Sequence, residues 1–143
     1  MKKIIFAFLM SFVVFSSCKK DEDITDERDK FVGTYETTQT ISIPGINYYE
    51  TMTGTIIVRK SATDQNRIEI FADGSTIQKA RVTGNSYVYD KFTETENIDG
   101  DTFVIEYTGT GTMNGSIINE SGTVVFMAYG ESYSGTWQSV MIK

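Results

Sequence analysis

From Phe31 onward, apolar and polar residues alternate in short runs broken by turn residues. Phe103, Ile105 and Tyr107 share one face of a run, with Val104, Glu106 and Thr108 opposite, and Val124, Phe126 and Ala128 line one face of another. A period of two marks strands half-buried against a core. The pattern predicts strands over 34–43, 48–60, 67–71, 76–83, 86–94, 101–108, 112–119, 123–129 and 133–142. Between them, Pro44-Gly45, Ala72-Asp73-Gly74-Ser75, Gly84-Asn85, Asp99-Gly100 and Glu120-Ser121-Gly122 supply residues that tolerate tight or positive-φ turns. No run in this region has the 3.6-residue period of an amphipathic helix.

Short connections imply antiparallel neighbours. A sheet of that many strands in so short a chain must curl or split to hide its edges. The expected fold class is all-β, an antiparallel up-and-down barrel of about eight or nine strands, with a β-sandwich as the alternative.

The first thirty residues follow different rules. Lys2 and Lys3 precede an apolar run from Ile4 to Phe15, interrupted by Ser11. That run is well short of the roughly 20 residues needed to cross a bilayer as a helix. Ser16 and Ser17 then supply small side chains before Cys18, the single cysteine in the chain. A charged start, an apolar stretch and small residues before a cut describe a signal peptide over residues 1–17. A thiol placed just after the cut is the atom a diacylglycerol needs. Phe15-Ser16-Ser17-Cys18 resembles the bacterial lipobox, with Phe where Leu is usual, and that resemblance implies lipid attachment at Cys18. The membrane is then a partner through the N-terminal lipid.

Residues 19–30 carry one aliphatic side chain, Ile24, and no aromatic. Such a stretch buries too little apolar surface to offset chain entropy, so residues 18–30 are expected to form a lipidated, charged tether. Its twelve residues after the cysteine reach about 40 Å when extended. The acidic cluster Asp21-Glu22-Asp23 after Cys18 resembles the export signal of Bacteroidota surface lipoproteins. That resemblance implies an outer-membrane, surface-exposed location.

Removing Lys2 and Lys3 with the leader leaves 11 basic against 19 acidic side chains, a net charge of −8. Such a surface repels phosphate backbones, so nucleic acid is not an expected partner.

The domain over residues 31–143 opens with Phe31-Val32-Gly33-Thr34-Tyr35. This resembles the F-x-G-x-W/Y opening of the lipocalin and fatty-acid-binding superfamily, with Tyr where Trp is commoner. In that superfamily the aromatic plugs the closed end of the barrel, and Gly135-Thr136-Trp137 sets a second large ring on the last strand. Two features of the family are missing. Residues 44–47 leave no room for a helix pair after the first strand, and the Arg-x-Tyr carboxylate clamp is absent. The resemblance carries architecture, and no ligand comes with it.

The chain contains no histidine. This removes the commonest general base and the favoured transition-metal ligand. Glu94, Glu96, Asp99, Asp101 and Glu106 cluster in sequence, yet at an expected hairpin tip, where charges are usually solvated. Asn97, Asp99, Gly100 and Glu106 match part of a calcium loop, but Thr95 stands where its first Asp belongs and strands replace the flanking helices. No catalytic residue, metal site or cofactor is expected, and the chain does not read as an enzyme.

The eight tyrosines are the remaining chemical feature. An aromatic ring with a polar tip suits a pocket wall as well as a barrel core. The candidate ligand-binding residues are Tyr35, Tyr87, Tyr89, Phe103, Tyr107 and Trp137. Two functions stay open at this level: a module binding a small apolar or glycan ligand, or an interaction protein using its loops to contact another envelope or host protein.

Overall fold

The computed structural model describes residues 26–72, 76–98 and 101–143. Cys18, the leader and the expected turns at 73–75 and 99–100 lie outside the described residues. Nine strands run β1 (Gly33–Ile43), β2 (Tyr48–Lys60), β3 (Arg67–Ala72), β4 (Thr76–Thr83), β5 (Ser86–Tyr89), β6 (Phe92–Ile98), β7 (Asp101–Asn114), β8 (Ile117–Ala128) and β9 (Glu131–Ile142). A single turn of 3-10 helix, Pro44–Ile46, joins β1 to β2.

All pairings are antiparallel. The strand order is β5-β4-β3-β2-β1-β9-β8-β7, and β5 pairs with β7 to close an eight-strand barrel. This is the barrel form of the expected fold, and the sandwich alternative is set aside.

The sixth strand is an upward continuation of the fifth, because both pair with β7. Val88 faces Thr110 and Phe92 faces Tyr107, so three residues, 89–91, oppose two, Thr108 and Gly109. The extra residue is a β-bulge, and it reverses which face the following side chains present. Without it, Phe92 and Glu94 would share the outer face with Val88, which is 55 % exposed. With it they turn inward behind Tyr87 and Tyr89.

Above the hydrogen bond from Asp90 N to Lys79 O (2.8 Å), β4 and β6 part. Among the described residues no pairing joins them there. The barrel wall therefore has a slot with Gln78 on one side and Phe92 and Glu94 on the other.

One hairpin differs from the expected boundaries. The sequence places a turn at Glu120-Ser121-Gly122 and a strand over 112–119. Instead the chain reverses at Gly115-Ser116, with Asn114 paired to Ile117, and β7 and β8 both run long. Gly115 has a φ of +63°, which glycine adopts without strain. Gly109 and Gly122 lie inside strands because the Trp137 indole rests on them. A Cβ at 122 would stand 2.6 Å from Trp137 Nε1, and one at 109 would stand 2.7 Å from Ser121 O. A glycine within a strand can thus mark a close approach as readily as a turn. The consequence is that Glu120, expected in a surface turn, points into the barrel.

The lower end is closed. Phe31 and Tyr35 are fully buried, and the Tyr35 hydroxyl donates to Phe31 O at 2.8 Å. Residues 26–30, the last five of the stretch expected to be solvated, instead pack against the barrel. These fold across the base because Arg28 finds acceptor sites there. Its Nη1 reaches the carbonyls of Ser61 (3.2 Å), Asp64 (3.0 Å) and Arg67 (3.4 Å), while Asp26 holds the rest of the guanidinium. Lys30 Nζ donates to Gly84 O at 2.8 Å, and Gly84 N donates to Glu27 at 2.8 Å. The N-terminal turn thereby ties the β2–β3 loop to the β4–β5 turn.

Candidate functional site

Apolar side chains fill the lower half of the barrel. Tyr35, Val58, Ile68, Val82, Ile118 and Met141 are all buried there. The upper half holds a cavity of about 190 Å³. Gln39, Ile41, Met52, Ile56, Ile70 and Gln78 line it from β1 to β4, Tyr89, Phe92, Glu94 and Tyr107 from β5 to β7, and Trp137 from β9.

The cavity floor is polar. Glu120 is 6 % exposed, and both the Tyr87 and Tyr89 hydroxyls donate to its Oε1. Burial, followed by the charge of Glu120, raises both phenols above the ordinary tyrosine value, so both remain donors. Beside Glu120, its cross-strand partner Ser139 shares a 3.0 Å hydrogen bond with Thr37 Oγ1. Two donors converging on one carboxylate oxygen give the charge-assisted form of hydrogen bond, which also fixes both rings.

Those rings belong to an edge-to-face ladder. Phe31 meets Tyr87 at 5.3 Å between centroids, Tyr87 meets Tyr89 at 5.4 Å, and Tyr89 meets Trp137 at 5.7 Å. The ladder runs from the plugged base to the cavity wall. Trp137 is held from its other edge by Nε1 donating to Thr108 O at 3.0 Å.

The sequence-derived candidates divide three ways. Tyr89, Tyr107 and Trp137 line the cavity. Tyr35 and Tyr87 lie beneath it in the core, although Tyr87 reaches up to the floor through its hydroxyl. Phe103 lies toward the rim of β7, stacked on Phe126 at 6.0 Å, and does not line the cavity. Sequence reasoning missed Glu120, Glu94 and Phe92. A period-two reading continued through Gly122 would have placed Glu120 on the inner face with Ile118 and Val124. No local signal announces the bulge that turns Phe92 and Glu94 inward.

The lining is one-sided in charge. Asp90, Glu94 and Glu120 contribute carboxylates, and among the described residues no lysine or arginine lines the cavity. Asp90 is paired with Arg67. Glu94 lies close enough to Tyr107 to help burial raise that phenol above its ordinary value. No cluster of three metal-ligating side chains occurs among the described residues.

No family model matches the chain, and no curated protein matches it. Among solved structures, the chain is similar to a crystal structure of a protein of unknown function from the DUF3598 family of Nostoc punctiforme PCC 73102. The two share 10 % identity over 80 % of this chain and 48 % of that one, with a TM-score of 0.45. The chain spans about half the length of that protein.

Proposed function

We propose that this chain is a lipid-anchored protein of the outer cell envelope whose barrel binds one small molecule and performs no chemistry on it. The reading is carried by the cavity itself. It is walled by Tyr89, Phe92, Tyr107 and Trp137, and its floor carries a carboxylate already oriented by two tyrosines. Concave sites with apolar walls and a few fixed polar groups are the usual form of a small-molecule pocket.

Its size narrows the ligand. An apolar cavity of about 150 Å³ takes up benzene, so about 190 Å³ suits a body of roughly one ring with a short polar arm. A long acyl chain exceeds that space. A single sugar residue, with its apolar face on Trp137, remains within it. The anchoring half of the proposal rests on Cys18 and the residues before it.

Native mass spectrometry of the protein purified from its own cells tests the binding half. A bound mass of one small molecule, lost on denaturation, is the expected result. A bare mass, together with no uptake of any member of a panel of single-ring compounds and monosaccharides, overturns it.

A further inference from the structure

Glu120 has two oxygens, and the described residues use one. Oε1 accepts from Tyr87 and Tyr89, while no described donor reaches Oε2. Among the described residues, no buried side-chain polar atom lacks a hydrogen-bond partner. An unpartnered Oε2 on a residue this deeply buried is therefore one that touches the cavity, which Glu120 lines.

Among the described residues, the surroundings offer that oxygen no counter-charge. Of the three carboxylates in the lining, Asp90 is answered by Arg67, and Lys91 pairs outside with Glu106 at 2.8 Å. Glu94 and Glu120 have no ion-pair partner among the described residues. A carboxylate removed from water and left unpaired is costly, and a cation brought to it recovers much of that cost. The walls add to the same preference, because the faces of Trp, Tyr and Phe attract cations. Glu94, beside the slot between β4 and β6, sets a second negative charge on the route inward.

Resting on the small-molecule reading above, we infer that the cavity selects a small organic cation, an ammonium group on a compact apolar body of about one ring, with Glu120 Oε2 as its charge partner. An anionic ligand of the same size meets two unpaired carboxylates and is excluded. A neutral one fills the space but leaves Oε2 without a partner.

The test is calorimetric titration of the purified full chain, as the cell processes it, with 2-phenylethylammonium chloride. The comparison ligands are 2-phenylethanol, of the same ring and arm length without the charge, and methyl glucoside. The ammonium compound should bind at least tenfold more tightly than the alcohol. Glu120→Gln should abolish that ratio, and Glu94→Gln should reduce it; the second variant tests the charge preference even if the first does not fold.

Equal binding of the amine and the alcohol overturns the cation inference while leaving the small-molecule reading intact, as does binding of the glucoside alone. A retained preference in folded Glu120→Gln overturns the role of that residue. Binding of none of the three counts against the cavity as a site at all, and so against the parent reading.

Discussion

The ring of Tyr87 lies against the bare Cα of Gly111, its direct partner across the β5–β7 seam that closes the barrel. Three residue pairs make up that seam. A side chain at 111 would overlap the ring, with its Cβ 2.6 Å from the Tyr87 hydroxyl oxygen. Closure of the wall and placement of a floor donor thus depend on the same glycine.

Gly111→Ala is expected to destabilise the fold by about 1–3 kcal/mol through overpacking. Gly54 is the internal control, since a Cβ there meets nothing within 4 Å. Gly54→Ala should be neutral or stabilising by about 0.4–1 kcal/mol, because alanine lowers the entropy of the unfolded chain. Urea unfolding of both variants checks the contrast, and equal losses would remove the packing account.

Lys143 closes the base from the end of β9. Its ammonium donates to Val32 O at 2.6 Å and lies 5.8 Å from the centroid of the Tyr35 ring. Lys143→Met keeps most of the apolar stem and removes both interactions. A loss of about 1–2 kcal/mol is expected from one hydrogen bond to a charged group and one exposed cation–π contact. Chemical denaturation measures it.

The base also carries an acid-sensitive contact. Asp26 is held well below the ordinary aspartate value of 3.8, chiefly by its hydrogen bonds to Arg28. The unfolded chain takes up that proton first. The stabilisation is therefore complete above the ordinary value and fades as pH falls below it. Asp26→Asn should lower Tm at pH 7, and the gap from the parent should narrow as pH falls from 4 to 2. A gap that stays constant over that range contradicts the assignment.

The floor sets an alkaline limit by the opposite sign. Tyr87 and Tyr89 are raised above 10.0, first by burial and then by Glu120. The unfolded chain releases those protons first, so the contribution is present below about pH 10 and lost as pH rises beyond it. Tyrosinate absorbance should show these two groups ionising together with unfolding. Ionisation of all eight tyrosines in a still-folded protein would overturn the buried floor.

Anchoring is tested apart from the barrel. Cys18→Ala should shift the protein from the membrane fraction to the soluble one, with no change in the circular dichroism of the domain. Protease added to intact cells should remove the parent's domain if it faces outward. Continued sedimentation of the variant with membranes would end the lipoprotein reading.

Much of the architecture was legible in local patterns. Runs rich in β-branched and aromatic residues between turn clusters located β2 and β4 to the residue, and β1 within one, because strand propensity and turn chemistry both act over a few residues. The same rule failed across 109–122. There glycine looks like punctuation, whereas Gly109, Gly111 and Gly122 are sites where Trp137 and Tyr87 lie against backbone. The aromatic candidates were partly legible for the same reason: inward facing follows from alternation, but height along the barrel does not. Tyr35 and Tyr87 therefore ended in the core and Phe103 near the rim, with Tyr89, Tyr107 and Trp137 between them at the cavity.

Alternation and turn chemistry act over a few residues, and they already specify a sheet-only domain of short antiparallel strands from Phe31 onward. Contacts between distant strands fixed what local pattern left open. An extra residue opposite Thr108 and Gly109 turned Glu94 and Phe92 inward. The closing of β5 on β7 brought Tyr87 and Tyr89, more than thirty residues away in the chain, onto Glu120. Register across a barrel depends on partners distant in sequence, and a one-residue shift exchanges inside for outside.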